Sequence, residues 1–228
     1  MRISRRGFVW SAAGAIGGGL MSGAGALAVL GGQAQHEGRL ALLDLGTGCV
    51  LRESFEGYCA TLTRQDVSFS EIAGDWRQGS GTAIVPGVGV MDRGTTSLLL
   101  DLLRAGWKVV FESGAGFLSR EDFALHQNML FDNFGLIVDS PIDLWSEAAS
   151  LPYVSYSWPR DAMVRDFSRV VPVLAPEGEI IGRAGCLPVA SRRLVGRGVL
   201  VFVGSPMGPA MLAGDPQGRE WLRLVRSA

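Results

Sequence analysis

The clearest indication of the fold comes from the stretch Gly106-Trp107-Lys108-Val109-Val110-Phe111-Glu112-Ser113-Gly114-Ala115-Gly116-Phe117-Leu118. Its apolar part, residues 108–112, has the length of a buried β-strand, and a glycine-rich loop follows at once. A leucine-rich segment at residues 95–104 has helical spacing and stops before Gly106, a residue type that commonly ends helices. A helix, a strand and a glycine-rich loop in this order predict an α/β fold with parallel strands.

The same alternation continues in both directions along the chain. Apolar runs predict strands at residues 40–45, 66–72, 81–85, 136–139, 170–174, 179–184, 188–194 and 199–203. Helical periodicity predicts helices at residues 54–64, 120–134 and 215–226, with Ser54 as a candidate N-cap. Residues 143–169 hold several aromatic side chains, two prolines and no clear period, which indicates an irregular insertion at about 140–169. We therefore expect a single α/β domain at residues 35–228.

The first 34 residues differ in composition from the rest of the chain. Ser4-Arg5-Arg6-Gly7-Phe8-Val9 resembles the twin-arginine export signal, and a weakly apolar run follows at residues 8–30. The pattern predicts that residues 1–34 are a signal peptide cleaved near Ala34, and the alternative is an uncleaved membrane anchor in the same run. The expected location is the periplasm, with a tether to the inner membrane in the second case.

Composition excludes several classes of function. A formal net charge of −1 and 19% charged residues argue against a non-specific nucleic-acid binder. Two histidines and three cysteines without metal-ligand spacing give no metal site, and no cofactor motif is present. In an oxidising compartment Cys49 and Cys59 are a candidate disulfide that leaves Cys186 odd, and three unpaired cysteines are the alternative.

Three segments together resemble the class I glutamine amidotransferase-like superfamily. They are residues 84–89 (IVPGVG), the stretch at 106–118 and the last predicted strand with its continuation at 199–207 (VLVFVGSPM). The branch most similar to them includes the amidotransferase-like N-terminal domain of biotin protein ligases. The resemblance implies a three-layer flavodoxin-like sandwich, with a mostly parallel central sheet and an antiparallel C-terminal hairpin.

The chain departs from that superfamily at every member of its catalytic triad. The cysteine, histidine and glutamate positions fall on Gly114, Ser205 and Met207, which supply neither a thiolate nor a base. The resemblance therefore implies a pseudoenzyme with no catalytic residues. Its strand ends would instead bind a small anionic ligand or a protein partner in a crevice. The candidate binding residues are Asp44, Gly87, Gly89, Glu112, Ser113, Gly114, Ala115 and Ser205.

Two other interpretations remain open from the sequence. One is a periplasmic hydrolase or transferase with relocated catalytic residues, for which Glu112, Ser113 and His126 are the candidates. The other is an accessory subunit that is exported together with a redox complex. Turn hydroxyls, a helical histidine and a helix-capping glutamate are the ordinary explanations for these three residues.

Overall fold

The computed structural model describes residues 39–45, 51–70, 80–114, 117, 119–144, 152–167, 169–175 and 178–228. Its strands are β1 (Arg39–Leu42), β2 (Gly81–Val88), β3 (Lys108–Ser113), β4 (Ile137–Val138), β5 (Tyr153–Tyr156), β6 (Ala162–Arg165), β7 (Val173–Ala175), β8 (Glu179–Ala184), β9 (Leu187–Val195) and β10 (Gly198–Val203). Its helices are α1 (Arg52–Arg64), α2 (Arg93–Ala105), α3 (Arg120–Phe134), α4 (Gly208–Leu212) and α5 (Pro216–Ser227).

Eight of these strands form one mixed sheet in the order β1-β2-β3-β10-β9-β8-β5-β6, and β4 pairs with β7 in a separate two-stranded sheet. The pairs β1–β2, β2–β3 and β3–β10 are parallel. The pairs β10–β9, β9–β8, β8–β5 and β5–β6 are antiparallel. The parallel half therefore changes to an antiparallel half at β10, in the middle of the sheet.

The parallel half is covered on both faces, which explains why its strands are almost wholly apolar. Alternate strand residues such as Val109 and Phe111 pack in one cluster with side chains of α2 and α3. Their neighbours, among them Val110, pack in a second cluster with side chains of α1, α4 and α5. Strands buried on both faces read as continuous hydrophobic runs, and this is the pattern of the stretch at 106–118.

Helix ends follow their local sequence signals, with one exception. Asp92 Oδ1 caps α2 by accepting a hydrogen bond from the Thr95 N–H at 2.6 Å, and Gly106 ends that helix with φ 99°. The prediction of Ser54 as the N-cap of α1 is wrong, because Leu51 occupies that position and makes no side-chain cap. The Ser54 hydroxyl is directed to the end of β3 instead.

The fold predicted from the resemblance is wrong. A flavodoxin-like sandwich needs a mostly parallel sheet, whereas four of the seven neighbouring pairs here are antiparallel. The predicted irregular insertion is a main reason for the difference, because it contributes β5 and β6 to the same sheet. The antiparallel part is thus half of the sheet and not a hairpin appended to its end.

The outer edge of β6 is blocked by side chains. Gln217 Oε1 accepts a hydrogen bond from the Met163 N–H at 2.6 Å, and Asp215 Oδ2 accepts one from the Arg165 N–H at 3.3 Å. Exposed edge strands invite pairing with other chains, so these contacts protect the edge and fix α5 beside β6.

The predicted leader, with Arg5, Arg6 and the apolar run 8–30, lies outside the described residues. Within the described ranges no helix is both long and apolar enough to cross a membrane. The export signal and the tether remain predictions.

Candidate functional site

Glu112, near the carboxyl end of β3, lies fully buried at the centre of a hydrogen-bonded cluster. Its Oε2 accepts hydrogen bonds from the Tyr58 hydroxyl at 2.7 Å and from the Met207 N–H at 2.9 Å, and its Oε1 accepts one from the Ser54 hydroxyl. Burial raises the pKa of Glu112, and these donors, together with the Gly208 N–H, oppose that rise. The carboxyl group thus links β3 to α1 and to the start of α4.

A second buried carboxyl group lies close to the first. Asp166 follows β6, and its Oδ1 accepts a hydrogen bond from the Ser205 hydroxyl at 2.9 Å. Burial raises the pKa of Tyr156 well above its usual range, and the charges of Glu112 and Asp166 raise it further. We call this group the strand-end cluster; its members are Ser54, Tyr58, Glu112, Tyr156, Asp166 and Ser205. Each of them is no more than 3% exposed.

Ser113 and His126 form a buried pair beside this cluster. Ser113 Oγ lies 3.0 Å from His126 Nε2, and both residues are fully buried. Burial lowers the pKa of His126 to about 4, although a backbone hydrogen bond with Gly89 opposes the change. The imidazole is therefore neutral near pH 7 and lies against the Phe111 and Phe117 rings. A nucleophile and a base are adjacent, but neither is exposed to a substrate.

Gly114 lies so close to the backbone of β2 that no side chain fits there. Its N–H donates a hydrogen bond to the Val88 carbonyl at 2.6 Å, and a Cβ at Gly114 would lie 2.7 Å from the Gly87 carbonyl oxygen. The backbone of β2 therefore fills the space that a side chain at Gly114 would need. Gly87 has φ 54°, and its carbonyl accepts a hydrogen bond from the Leu51 N–H at 2.8 Å.

The structure divides the predicted binding set. Glu112, Ser113, Gly114 and Ser205 lie buried at the strand ends, whereas Asp44 is exposed and Ala115 lies outside the described residues. The acceptor at the end of β3 is the protein's own Glu112 carboxyl group, which accepts the hydrogen bond of the Met207 N–H. These strand ends lie close together, and hydrogen bonds within the protein close the space between them.

An exposed groove between β6 and α5, which we call the helix groove, has no counterpart among the sites predicted from the sequence. It has a volume of about 270 Å³ and is lined by Arg160, Asp161, Ala162, Gln217, Glu220 and Trp221, with Pro216 and Leu224. Glu220 accepts hydrogen bonds from the Arg223 guanidinium at 2.5 and 2.8 Å, and this contact lowers the pKa of Glu220. The groove therefore presents charged groups to solvent, which the strand-end cluster does not. No local motif predicts it, because it joins two distant segments.

Neither a metal nor a disulfide can be assigned within the described residues. No group of three or more histidine, cysteine, aspartate or glutamate side chains lies there in an arrangement that could hold a metal ion. Cys59 is half-buried and Cys186 is exposed, neither is bonded to another cysteine of the described residues, and Cys49 lies outside those residues. The Cys49–Cys59 disulfide remains a prediction.

Comparison with known proteins gives likeness in fold only. No family model and no curated protein matches this chain. The exo-β-1,4-mannosidase Op5Man5 from Opitutaceae bacterium strain TAV5 is similar over 82% of this chain and 36% of its own, with a TM-score of 0.57 and 12% identity. A β-galactosidase from Bacillus circulans sp. alkalophilus is similar over 82% of this chain and 31% of its own, with a TM-score of 0.55 and 15% identity.

A third similar structure is matched over almost its whole length. The cytoplasmic protein STM1381 from Salmonella typhimurium LT2 is similar over 82% of this chain and 96% of its own, with a TM-score of 0.54 and 10% identity. This chain thus spans about a third of the length of the two glycosidases but almost the whole of STM1381. The fold occurs both as a part of larger enzymes and as a separate chain.

These comparisons overturn the predicted relationship. The amidotransferase-like assignment is wrong, because no family model supports it and the mannosidase and the β-galactosidase are among the similar solved structures. The pseudoenzyme interpretation and the anion-binding crevice depended on that assignment and are wrong with it. The two alternatives, relocated catalysis around Glu112, Ser113 and His126 and a redox accessory subunit, gain no support either.

Proposed function

We propose that this chain is a saccharide-binding domain of the kind that accompanies carbohydrate processing. The observation that carries the proposal is the shared fold, because 82% of the chain is similar to about a third of a mannosidase and, in a separate comparison, 82% to about a third of a β-galactosidase. Because those two enzymes are named for different sugars, the proposal extends to saccharides as a class and not to one sugar.

The helix groove is the proposed binding site because its side chains suit a polyhydroxylated ligand. Arg160, Asp161 and Glu220 have planar groups with fixed donors or acceptors, which match pairs of neighbouring hydroxyl groups. Gln217 accepts the Met163 N–H with its oxygen, so within the described residues its amide nitrogen is left as a donor. Apolar atoms of Leu224 offer a surface for the C–H face of a sugar ring, whereas Trp221 is 1% exposed and lies beneath the groove.

The strand-end cluster is a poor candidate for the same role. Its carboxyl groups are fully buried, and the hydroxyl and N–H donors around Glu112 come from the protein itself. A saccharide would have to displace these contacts and open the interface between α1 and β3. The energetic cost of leaving such buried groups unpaired argues against that route.

Glycoside hydrolysis is the second candidate, because Asp161 and Glu220 line the same groove. Most glycosidases use two carboxyl groups, one protonated and one ionised. The Arg223 guanidinium holds the pKa of Glu220 low, which suits the nucleophile or base. Asp161 would be the second carboxyl group of such a pair.

The test of the proposal is saccharide binding by the full-length protein. Calorimetric titration with mannose, galactose and their β-1,4-linked disaccharides should give saturable binding, and Asp161→Asn and Glu220→Gln should weaken it about tenfold. Asp101→Asn is a matched control, because Asp101 pairs with Arg104 on α2 as Glu220 pairs with Arg223 on α5. The absence of binding to any of these sugars contradicts the proposal. Release of nitrophenol from aryl glycosides, lost in both groove variants, would establish hydrolysis.

We also propose that the protein works in the periplasm after twin-arginine export. The support is the Ser4-Arg5-Arg6-Gly7-Phe8-Val9 pattern and the apolar run that follows it. Replacing Arg5 and Arg6 together by lysine should leave the protein in the cytoplasm, as fractionation and immunoblotting would show. Unchanged export of that double variant contradicts this part of the proposal.

A further inference from the structure

The edge of β6 and the helix groove share one side chain, that of Gln217 at the start of α5. Its Oε1 accepts a hydrogen bond from the Met163 N–H at 2.6 Å, and the residue also lines the groove. Asp215 holds the same edge, since its Oδ2 accepts a hydrogen bond from the Arg165 N–H at 3.3 Å, but Asp215 does not line the groove. Of these two contacts, the one made by Gln217 is therefore the one that reaches a ligand.

The Met163 N–H fixes the orientation of the Gln217 amide group. A backbone N–H only donates a hydrogen bond, so the atom that faces it must be the amide oxygen and not the nitrogen. Nε2 then lies on the other branch of the planar amide, directed away from the Met163 N–H. Gln217 is exposed, and within the described ranges no protein group accepts a hydrogen bond from this nitrogen. Two oriented N–H donors are therefore available at the groove.

The other two glutamines in the described part of the chain use the amide group in the opposite way. Gln65 Nε2 donates a hydrogen bond to the Arg219 carbonyl at 3.0 Å, and Gln127 Nε2 donates one to the Val138 carbonyl at 2.7 Å. Both of these nitrogens are thus bound to the protein backbone, and both side chains are partly buried. At Gln217 the oxygen is bound to the backbone and the nitrogen remains for a ligand.

A donor complements the other polar groups of the groove. Asp161 and Glu220 present carboxylate oxygens, which only accept hydrogen bonds when ionised. A sugar hydroxyl has one proton to donate and two lone pairs that accept. When its proton is donated to one of these carboxylates, its lone pairs still need a donor. The Gln217 amide nitrogen supplies a donor on the side of the groove that is formed by α5.

We propose that Gln217 is a specificity-determining residue of the helix groove, whose oxygen holds β6 against α5 while its nitrogen donates a hydrogen bond to an acceptor oxygen of the bound saccharide. This inference rests on the proposed saccharide binding and adds the direction of one hydrogen bond between the protein and its ligand. The Met163 N–H acts through Gln217, because it keeps the amide group in one orientation before the ligand binds. A side chain that is already oriented loses less conformational entropy on binding.

The central variant is Gln217→Glu in the full-length protein. The glutamate keeps an oxygen for the Met163 N–H but replaces the donor with another acceptor, which competes with Asp161 and Glu220 for the protons of the sugar. Calorimetric titration with mannose, galactose and their β-1,4-linked disaccharides should show about a tenfold loss of affinity for the sugar that binds. Hydrogen exchange at the Met163 amide, measured by NMR, should stay within about threefold of its rate in the unsubstituted protein.

Two further variants separate the roles of the side chain. Gln217→Ala removes both hydrogen bonds, so it should lose a similar factor in affinity, and the Met163 amide should exchange at least about tenfold faster. Gln127→Glu on α3 is the matched control, because it makes the same substitution at a glutamine outside the groove. Its affinity should equal that of the unsubstituted protein at a temperature where thermal unfolding shows that it is folded.

The possible outcomes distinguish this inference from the proposed function. Unchanged affinity in Gln217→Glu, or an equal loss in Gln127→Glu, overturns the donor role of Gln217 while saccharide binding stands. Exchange at the Met163 amide that is as fast in Gln217→Glu as in Gln217→Ala overturns the amide orientation from which that role is derived. If no sugar binds to the unsubstituted protein, the proposed function is overturned and this inference with it.

Discussion

The strand-end cluster and the helix groove both contain charged residues, but their partners differ. Glu112 and Asp166 are fully buried and accept hydrogen bonds from nearby protein groups, as the Tyr58 and Ser205 hydroxyls show. Arg160 and Asp161 are exposed and line an open groove. A polar residue at a strand end is thus no evidence for a binding site until its exposure is known. We expect the cluster to determine stability and the groove to determine binding.

The largest expected effect is the loss of the Glu112 carboxyl group. Glu112→Ala leaves the Ser54 and Tyr58 hydroxyls and the Met207 N–H without their buried acceptor. Each unpaired buried donor is costly, so the free energy of unfolding should fall by about 3–5 kcal/mol in a urea titration. Glu56→Ala on the exposed face of α1 is the control and should cost less than about 1 kcal/mol. A small effect at Glu112 would mean that the cluster is not a structural unit.

The second-largest expected effect is a loss of stability at low pH that is caused by the buried His126. Because burial lowers the pKa of His126 to about 4 from an ordinary 6.5, the unfolded chain binds a proton in this interval before the folded protein does. The contribution of neutral His126 to the free energy of unfolding is therefore fully present above pH 6.5 and is lost as the pH falls towards 4. The unsubstituted protein should lose about 2–3 kcal/mol more than His126→Gln between pH 7 and pH 4.5.

The comparison with His126→Gln is needed because Glu112 acts in the opposite direction. Its raised pKa means that the folded protein binds a proton at higher pH than the unfolded chain, so its contribution weakens as the pH rises. Both proteins retain Glu112, and its contribution cancels in the difference between them. Equal pH dependence of the two proteins, measured by urea unfolding, would contradict the buried position of His126.

A smaller effect is expected at Gly114. A Cβ there would lie 2.7 Å from the Gly87 carbonyl oxygen, so Gly114→Ala must push β2 and β3 apart. The expected loss of unfolding free energy is about 1–2 kcal/mol. Gly94→Ala in the first turn of α2 is the control, since its Cβ would meet only Asp92 Oδ1 at 3.4 Å and alanine favours helix. If Gly114→Ala were as stable as Gly94→Ala, the close approach of the two strands would be incorrect.

The smallest effect on stability is expected in the helix groove. Glu220→Gln removes an exposed ion pair with Arg223, and such pairs contribute little because water and salt screen them. The free energy of unfolding of this variant should match that of the unsubstituted protein within experimental error. A loss comparable to that of Glu112→Ala would remove the distinction between the two regions.

Much of the parallel half was predictable from the sequence. Residues 108–112, 81–85 and 199–203 are continuous apolar runs, and they form β3, β2 and β10. The helix predicted at residues 120–134 has these bounds in the structure, because Ser119 caps its start and Gly135 its end with φ 63°. Local signals suffice here because strand burial and helix capping depend on nearby residues.

The antiparallel half was not predictable in the same way. β5 and β6 have four residues each, too few for a period to be distinguished from chance among aromatic and polar neighbours. Their place in the sheet depends on the pairing of β5 with β8, which no local pattern determines. The aromatic segment was therefore interpreted as an irregular insertion.

The candidate site was predictable only in part. Glu112 was noticeable as a charged residue at the end of an apolar strand, but its donors Ser54 and Tyr58 lie more than fifty positions earlier. Asp161 and Glu220 line the same groove only because α5 packs against β6. Solvent exposure and contacts between distant segments determine which polar residues can bind a ligand. A local sequence motif indicates neither of them.

The most direct test titrates β-1,4-mannobiose and β-1,4-galactobiose into the full-length protein, Asp161→Asn and Glu112→Gln, with the unfolding free energy of each measured in the same buffer. The account predicts that Asp161→Asn keeps its stability and loses about tenfold in affinity for the disaccharide that binds. Glu112→Gln should lose stability by about 1–3 kcal/mol and bind with unchanged affinity at a temperature where it is folded. The reverse pattern, with binding lost in Glu112→Gln and kept in Asp161→Asn, would contradict the account.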